Sequence, residues 1–319
     1  MKPSGAVGDY APFELILDAA ALGLVTTRVS NALGTCVARH PVERRSTRAS
    51  LFLHGAAGSW TTWTPLLQAA TSIGLDLGDT VLFDLPGWGD AELASVNSRK
   101  DNGVADPIFA ICSLVKDLAE KLGYTEWDIV GHSLGGFIAL HMASIWPKAV
   151  LSVGMVSGTT FSVIESVAHP VRNFRAIPGL TMLWRVMQAL AVFRSAGTWL
   201  VRAVNAIGLL RPLTFPLFRH WPKVPLSQGR ALAFEIRPQS FATAANFTRG
   251  YPAQTQWAQI QCPVRATKGD RDVFVVQSDI NRLRVLLPGT VATVITDCGH
   301  FGPVERPLEV LAALGYYLA

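Results

Sequence analysis

Cysteine is scarce, with four residues in a chain of 319. Cys36, Cys112, Cys262 and Cys298 lie too far apart for a metal-ligand spacing or a disulfide framework, and they read as buried free thiols. No histidine cluster or acidic constellation suggests a metal, and no glycine-rich phosphate loop suggests a nucleotide, so the expectation is a protein without a cofactor. Long apolar runs are lacking too. Stretches such as Val186 to Phe193 are interrupted well before the roughly 18 residues a membrane helix needs. The opening Met1-Lys2-Pro3-Ser4-Gly5 has no continuous apolar region and no cleavage site, which makes the cytoplasm the expected compartment. Half of the residues are hydrophobic, enough for a sizeable core in one large domain or two small ones.

The run Gly131-His132-Ser133-Leu134-Gly135-Gly136 is where chemistry first shows. A short apolar stretch, Trp127 to Val130, precedes it and helix-forming text, Phe137 to Ala143, follows. A strand feeding a helix through so short a connection needs a forced turn, with Gly131 and Gly135 bare of side chains. Such a turn lifts the Ser133 hydroxyl clear of the sheet and aims the backbone N–H of Leu134 into the same space. A serine hydroxyl is a weak nucleophile, so a base must take its proton as it attacks, and an acid must orient that base.

Three further segments end probable strands. Leu51 to His54 runs into the loop Gly55-Ala56-Ala57-Gly58; Pro263 to Thr267 runs into Gly269-Asp270-Arg271-Asp272; Thr290 to Ile295 runs into Asp297-Cys298-Gly299-His300-Phe301. Open parallel sheets place their sites at these strand ends. His300 is the candidate base, with Gly299 letting its loop close over Ser133. His132 is expected to point away, His141 lies on the following helix, and His54 shapes its own loop with Gly55. Asp270 and Asp272 compete for the acid. Asp84 and Asp297 read as turn residues.

Strand and helix text alternates along the chain. A hairpin (Leu24–Ser30 and Thr35–His40 around Asn31-Ala32-Leu33-Gly34) comes first. Strands near 51–54, 80–84, 127–131 and 150–157 are interleaved with helices near 63–71, 107–122 and 135–146. Alternation resumes at 262–268 and 290–296, and a helix over 308–318 closes the chain. The pattern predicts an α/β fold with a mostly parallel, doubly wound sheet. Between Gly158 and Gly250 it changes to apolar helical text, predicting a helical cap (158–250) inserted between two parts of the core (1–157 and 251–319).

On the elbow, the strand-end segments and the order Ser, Asp, His, the chain resembles an α/β-hydrolase of the esterase/lipase type with an inserted cap. The likeness runs from about Val25 to the C-terminus, and the cap matches least. Asp84-Leu85-Pro86-Gly87-Trp88-Gly89 and Glu305-Arg306-Pro307 resemble family stretches as well. The resemblance implies that the acid stands three residues after the glycine, which selects Asp272, and that the second oxyanion donor is the backbone N–H of Ala56. It also implies a loop-shaping role for His54. Members that open epoxides or haloalkanes carry an aspartate where Ser133 stands, so ester hydrolysis is the expected activity, on a small, hydrophobic substrate. Carbon–carbon or amide cleavage by the same triad, and a non-catalytic binding protein on the same fold, are the alternatives.

Basicity belongs to the expected cap. Ten arginines and Lys223 stand there against Glu165 and Glu235, a net of +9 that leaves −4 for the remainder of a chain carrying +5. One reading is arginine stems lying over apolar surface; the other is attraction to an anionic substrate or membrane surface. No nucleic-acid-binding motif accompanies the charge. The cap aromatics Phe174, Trp184, Phe193, Trp199, Phe215, Phe218 and Trp221 read mostly as packing residues.

Overall fold

The computed structural model describes residues 9–94 and 105–317; the opening pentapeptide and Leu318 of the expected closing helix lie outside the described residues, as does the Arg211 side chain. Eight strands form one sheet: β1 (Leu24–Asn31), β2 (Gly34–Pro41), β3 (Arg48–Leu53), β4 (Thr80–Asp84), β5 (Glu126–His132), β6 (Val150–Val156), β7 (Val264–Gly269) and β8 (Val291–Ile295). Their order is β1-β2-β4-β3-β5-β6-β7-β8. Only β2 runs against the others: it pairs antiparallel with both β1 and β4, and every other pairing is parallel. Leu51, Phe52 and Leu53 on β3 are all fully buried, as expected for a strand covered on both faces.

Helices α1 (Thr64–Ser72), α2 (Pro107–Lys121) and α3 (Leu134–Ile145) connect the first strands. Between β6 and β7 stand α4 (Phe161–Ala168), α5 (Pro178–Val192), α6 (Ser195–Ala206), α7 (Leu210–Thr214), α8 (Leu226–Glu235), α9 (Pro238–Phe247) and α10 (Ala253–Trp257). α11 (Gln277–Leu286) links β7 to β8, and α12 (Gly302–Glu305) and α13 (Pro307–Ala313) end the chain. The closing helix expected over 308–318 is found as α13 but stops at Ala313, where Gly315 at φ 83° turns the chain out of the helix.

One apolar core joins the sheet to α2, α3 and α11; a second, on the opposite face, joins it to α1 and α13. Two smaller cores lie in the helical insert, and both reach down to loops at the strand ends: Phe301 and Val304 belong to one, Phe274 to the other. Polar ties fix the same junction. Asp279 on α11 accepts from Ser162 N at 3.0 Å, Ser162 Oγ at 2.6 Å and Thr160 Oγ1 at 2.9 Å, anchoring α4. Gly89 N donates to Glu235 at 2.9 Å, and Arg237 donates to the Gly89 carbonyl at 2.9 Å.

The packing reading holds for Trp184, Phe218 and Trp221, which are buried, and fails for Phe174, Phe193, Trp199 and Phe215, which are exposed. The reason is geometric: a helix that packs on one side, as α5 does through Leu180, Trp184 and Met187, leaves apolar residues of its other side in solvent. All four cysteines are free; Cys262 is half-buried rather than buried. Among the described residues no helix is long and apolar enough to cross a membrane.

Candidate active site

Ser133 sits between β5 and α3 at φ 50° and ψ −115°, a conformation that costs a non-glycine residue on the order of 1–3 kcal/mol. The turn survives because the surrounding backbone leaves no alternative. A side chain on Gly131 would come within 2.2 Å of the Gly135 carbonyl oxygen, and one on Gly135 within 2.0 Å of that of Leu53. Strand β3, the elbow and α3 therefore touch backbone to backbone. Ser133 N donates to Val156 O at 3.0 Å, and the Ser133 carbonyl accepts from Gly136 N and Thr159 N. The peptide is pinned while its side chain stays free.

The loop after β3 packs against this turn; a Cβ on Gly55 would lie 2.7 Å from that of Ser133. His54 is fully buried and satisfied at both nitrogens: Nδ1 donates to the Gly55 carbonyl at 2.7 Å and Nε2 accepts from Leu85 N at 3.0 Å. Burial holds its pKa below the usual imidazole range, so the ring stays neutral and keeps both bonds. Ala57 takes φ 60°, which turns the chain sharply here. Among the described residues the Ala56 N–H has no acceptor. Leu134 begins α3, and the first N–H groups of a helix have no intrahelical acceptor.

His300 and Asp272 meet as the order of motifs implied. His300 Nδ1 donates to Asp272 Oδ1 at 3.0 Å, leaving Nε2 as the nitrogen that can take a proton. Asp272 is fully buried; Oδ1 also accepts from Phe274 N at 2.8 Å and Val275 N at 3.2 Å. Burial alone would raise its pKa, but the His300 charge, the hydrogen bonds from His300 and Phe274, and nearby Ser157 together hold it below the ordinary carboxylate range. Ser157, itself at φ 50°, and Asp272 Oδ2 are close yet fall short of hydrogen-bond geometry. Asp270 plays the capping role instead, accepting from Cys298 N at 3.0 Å. Among the described residues no hydrogen bond joins Ser133 Oγ to His300.

Two residues hold the histidine in ways the sequence did not reveal. The His132 ring, expected to point away, lies against His300 with centroids 4.9 Å apart, and its Nε2 donates to the His300 carbonyl at 2.9 Å. The elbow and the histidine loop are thereby joined. Glu305, also fully buried, accepts from Gly299 N at 2.8 Å and Phe301 N at 2.9 Å, one on each side of His300. It accepts as well from Tyr10 Oη at 2.7 Å and from Arg219 N of the insert at 2.8 Å. His300 N donates to the insert's Leu217 carbonyl at 2.9 Å, and a side chain on Gly299 would come within 2.8 Å of that oxygen. Gly299 thus makes room for the insert. Asp84, read as a turn residue, is a buried hub that pairs with Arg39 at 2.7 Å and accepts from Trp60 N at 2.8 Å. Asp297, at φ 53°, does occupy a turn and receives His220 of the insert at 2.6 Å. His141 bonds Tyr251 away from the site.

Burial pushes the His132 pKa down to about 3. The unfolded chain binds a proton there near pH 6.5 and the native chain does not, so stability is full above pH 6.5 and falls as pH drops toward 3. The loss from this residue is on the order of 4–5 kcal/mol across that window, at about 1.4 kcal/mol per unit. His54 adds a slope of the same sign. Urea midpoints of wild type and His132→Gln between pH 3 and 7 are expected to converge at the acid end; parallel curves would remove His132 as a cause.

A serine on a strained strand–helix turn, a buried Asp–His pair and two free N–H groups at the carboxyl ends of parallel strands belong to the architecture of α/β-hydrolases. The Alpha/beta hydrolase family model matches residues 51–314, and the chain belongs to that family. It is 22% identical over 271 residues to the 2-hydroxy-6-oxononadienedioate/2-hydroxy-6-oxononatrienedioate hydrolase of Klebsiella pneumoniae subsp. pneumoniae, covering 80% of this chain and 82% of the relative. It is 21% identical over 296 residues to mouse bifunctional epoxide hydrolase 2, covering 85% of this chain and 51% of the relative. A Pseudomonas putida hydrolase with the same name as the Klebsiella protein matches over 134 residues at 26% identity, 41% of this chain and 43% of the relative. The chain thus spans about half the length of two of these three relatives. The enol-lactonase of Burkholderia xenovorans LB400 shares the fold, with a TM-score of 0.65, 16% identity and coverage of 90% of this chain and 99% of that one. The epoxide hydrolase CorEH does likewise, at a TM-score of 0.64, 17% identity and coverage of 90% and 96%.

Proposed function

We propose that this chain is a serine hydrolase cleaving carboxylic esters through an acyl-enzyme on Ser133, with Ala56 and Leu134 as oxyanion donors and residues 158–250 as the cap. The observation that carries this reading is the buried Asp272–His300 hydrogen bond at the strand ends that also hold Ser133 on its strained turn. Ser133 Oγ attacks the ester carbonyl as His300 Nε2 takes its proton, and Asp272 stabilises the imidazolium that results. The carbonyl oxygen becomes an oxyanion facing two backbone N–H groups; each such donor is worth about 2.7–4 kcal/mol in the transition state. The imidazolium then protonates the departing alkoxide. Water, losing a proton to His300, attacks the acyl-enzyme and frees the acid and Ser133.

Phe274 meets His300 edge to face at 4.8 Å and packs with Val163, Val167 and Trp184, so an apolar acyl or alcohol group has matching surface beside the base. An epoxide is a poor fit, because a serine oxygen opening it would form an ether that water does not cleave. The relative named for an oxononadienedioate favours a second reading, in which the same triad cleaves a carbon–carbon bond. A panel of p-nitrophenyl esters, β-diketones and anilides decides. Esters of increasing acyl length are expected to give the highest kcat/KM; faster diketone turnover would select the second reading. No turnover of any member, with no fluorophosphonate labelling at Ser133, would leave a binding protein.

A further inference from the structure

Helix α5 is apolar on both sides. Leu180, Trp184 and Met187 are buried beneath it, while Met182, Val186, Ala189 and, at its C-cap, Phe193 follow one another at steps of four, three and four residues along the opposite side, all exposed. A stripe at that spacing ordinarily faces a core. Here it faces solvent, with Phe193 at 66% exposure, and the adjoining α6 adds Trp199 at 69%. Scattered apolar residues on a surface need no explanation, but a contiguous helical stripe marks an interaction site.

Charge says what the stripe meets. Residues 166–234 contain no aspartate or glutamate, against eight arginines and Lys223. Arg172, Arg175, Arg185 and Arg202 are exposed in this stretch. A second copy of the chain is a poor occupant, because a two-fold contact would press the same cationic surface against itself.

We propose that the outer face of the insert docks on a bilayer containing anionic phospholipids. The α5 stripe and Trp199 lie at the headgroup–acyl boundary, and the arginines meet lipid phosphates. An apolar stripe flanked by basic residues and carrying tryptophan is the make-up of a helix that lies in the interface plane rather than spanning it. Arginine suits the task because its stem covers apolar surface while its fork reaches phosphate oxygens in pairs. The docking needs no assumption about the bond the site cleaves.

Flotation of the full chain with vesicles of phosphatidylcholine, with and without phosphatidylglycerol, tests this. Binding is expected on the mixed vesicles only and is expected to weaken with salt, since exposed charges are screened within about 10 Å at 0.1 M. Arg185→Gln and Arg202→Gln should each weaken partitioning about fivefold. The Trp199 contribution, taken as wild type minus Trp199→Phe, should be quenched by brominated acyl chains. Phe193→Glu with Trp199→Glu is expected to cut partitioning at least about tenfold, because both side chains would leave the acyl boundary. Both positions are exposed, so the unfolding midpoint and the hydrolysis of a short, water-soluble ester should stay as in wild type. Equal binding to neutral and anionic vesicles, or no binding to either, would overturn the proposal. So would self-association of the wild type that the double variant loses, which would assign the face to a second copy.

Discussion

Ser133→Ala is expected to lower kcat for ester turnover by at least about 10^4-fold while leaving the fold intact. Alanine keeps the backbone constraint at φ 50° and removes only the oxygen. Ser133→Gly removes the oxygen and the strain together. It should therefore be as inactive as the alanine variant yet more stable than it by about 1 kcal/mol, after the freedom glycine adds to the unfolded chain is offset. Initial rates paired with thermal unfolding separate the two effects. Wild-type rates in either variant would rule Ser133 out as the nucleophile. A glycine variant less stable than the alanine variant would mean that the turn is not strained.

Asp272→Asn should lower kcat by about 10^3–10^4-fold. Asp272 Oδ1 accepts from His300 Nδ1 and from the Phe274 and Val275 N–H groups, and an amide oxygen can keep the two backbone bonds. What the variant loses is the negative charge beside the imidazolium. The loss should fall on kcat with KM little changed, because the imidazolium exists only after proton transfer begins. The sign of the acid response follows from the depressed carboxyl: its stabilisation is complete above the ordinary aspartate pKa, near 3.9, and is lost as pH falls through the lower native value. The asparagine variant should lack that part of the wild-type acid transition. A kcat within tenfold of wild type would reassign the acid.

The parts of the site legible in the sequence are those whose demands are local. Gly131 must be bare because the Gly135 carbonyl approaches it from within the elbow, and that requirement is visible in the motif itself; Gly135 is bare for the β3 backbone at Leu53, which the strand–turn–helix pattern only implies. His300 follows a glycine directly and Asp272 stands three residues after one, both just past strands. Asp270 and Asp272 are chemically equal, and only the spacing from Gly269 separated them; in three dimensions one reaches His300 and the other Cys298 N. His132 and Glu305 were not legible in their roles. Their partners are 168 and 6 residues away at His300 and Gly299, and 295 and 86 away at Tyr10 and Arg219, so no periodicity announces them. The exposed aromatics of the insert misled for the opposite reason. Hydrophobic text on two sides of α5 reads as core in one dimension, and only the three-dimensional packing shows that one of those sides has none.

The Glu305 carboxylate has a bearing on how this chain could be recombined with its relatives. It grips the peptide on both sides of His300 through its two oxygens and, at Oε2, an amide of the insert, while Leu217 of the insert holds the His300 amide. The insert is therefore not a detachable module bounded at Gly158 and Gly250. Its segment around 217–220 is bonded to the loop that carries His300, so a seam that spares this loop runs through the insert, on the α7 side of Phe215. A chimaera that respects that seam should keep His300 in place; one cut at the outer boundaries should also exchange the groups that hold its backbone.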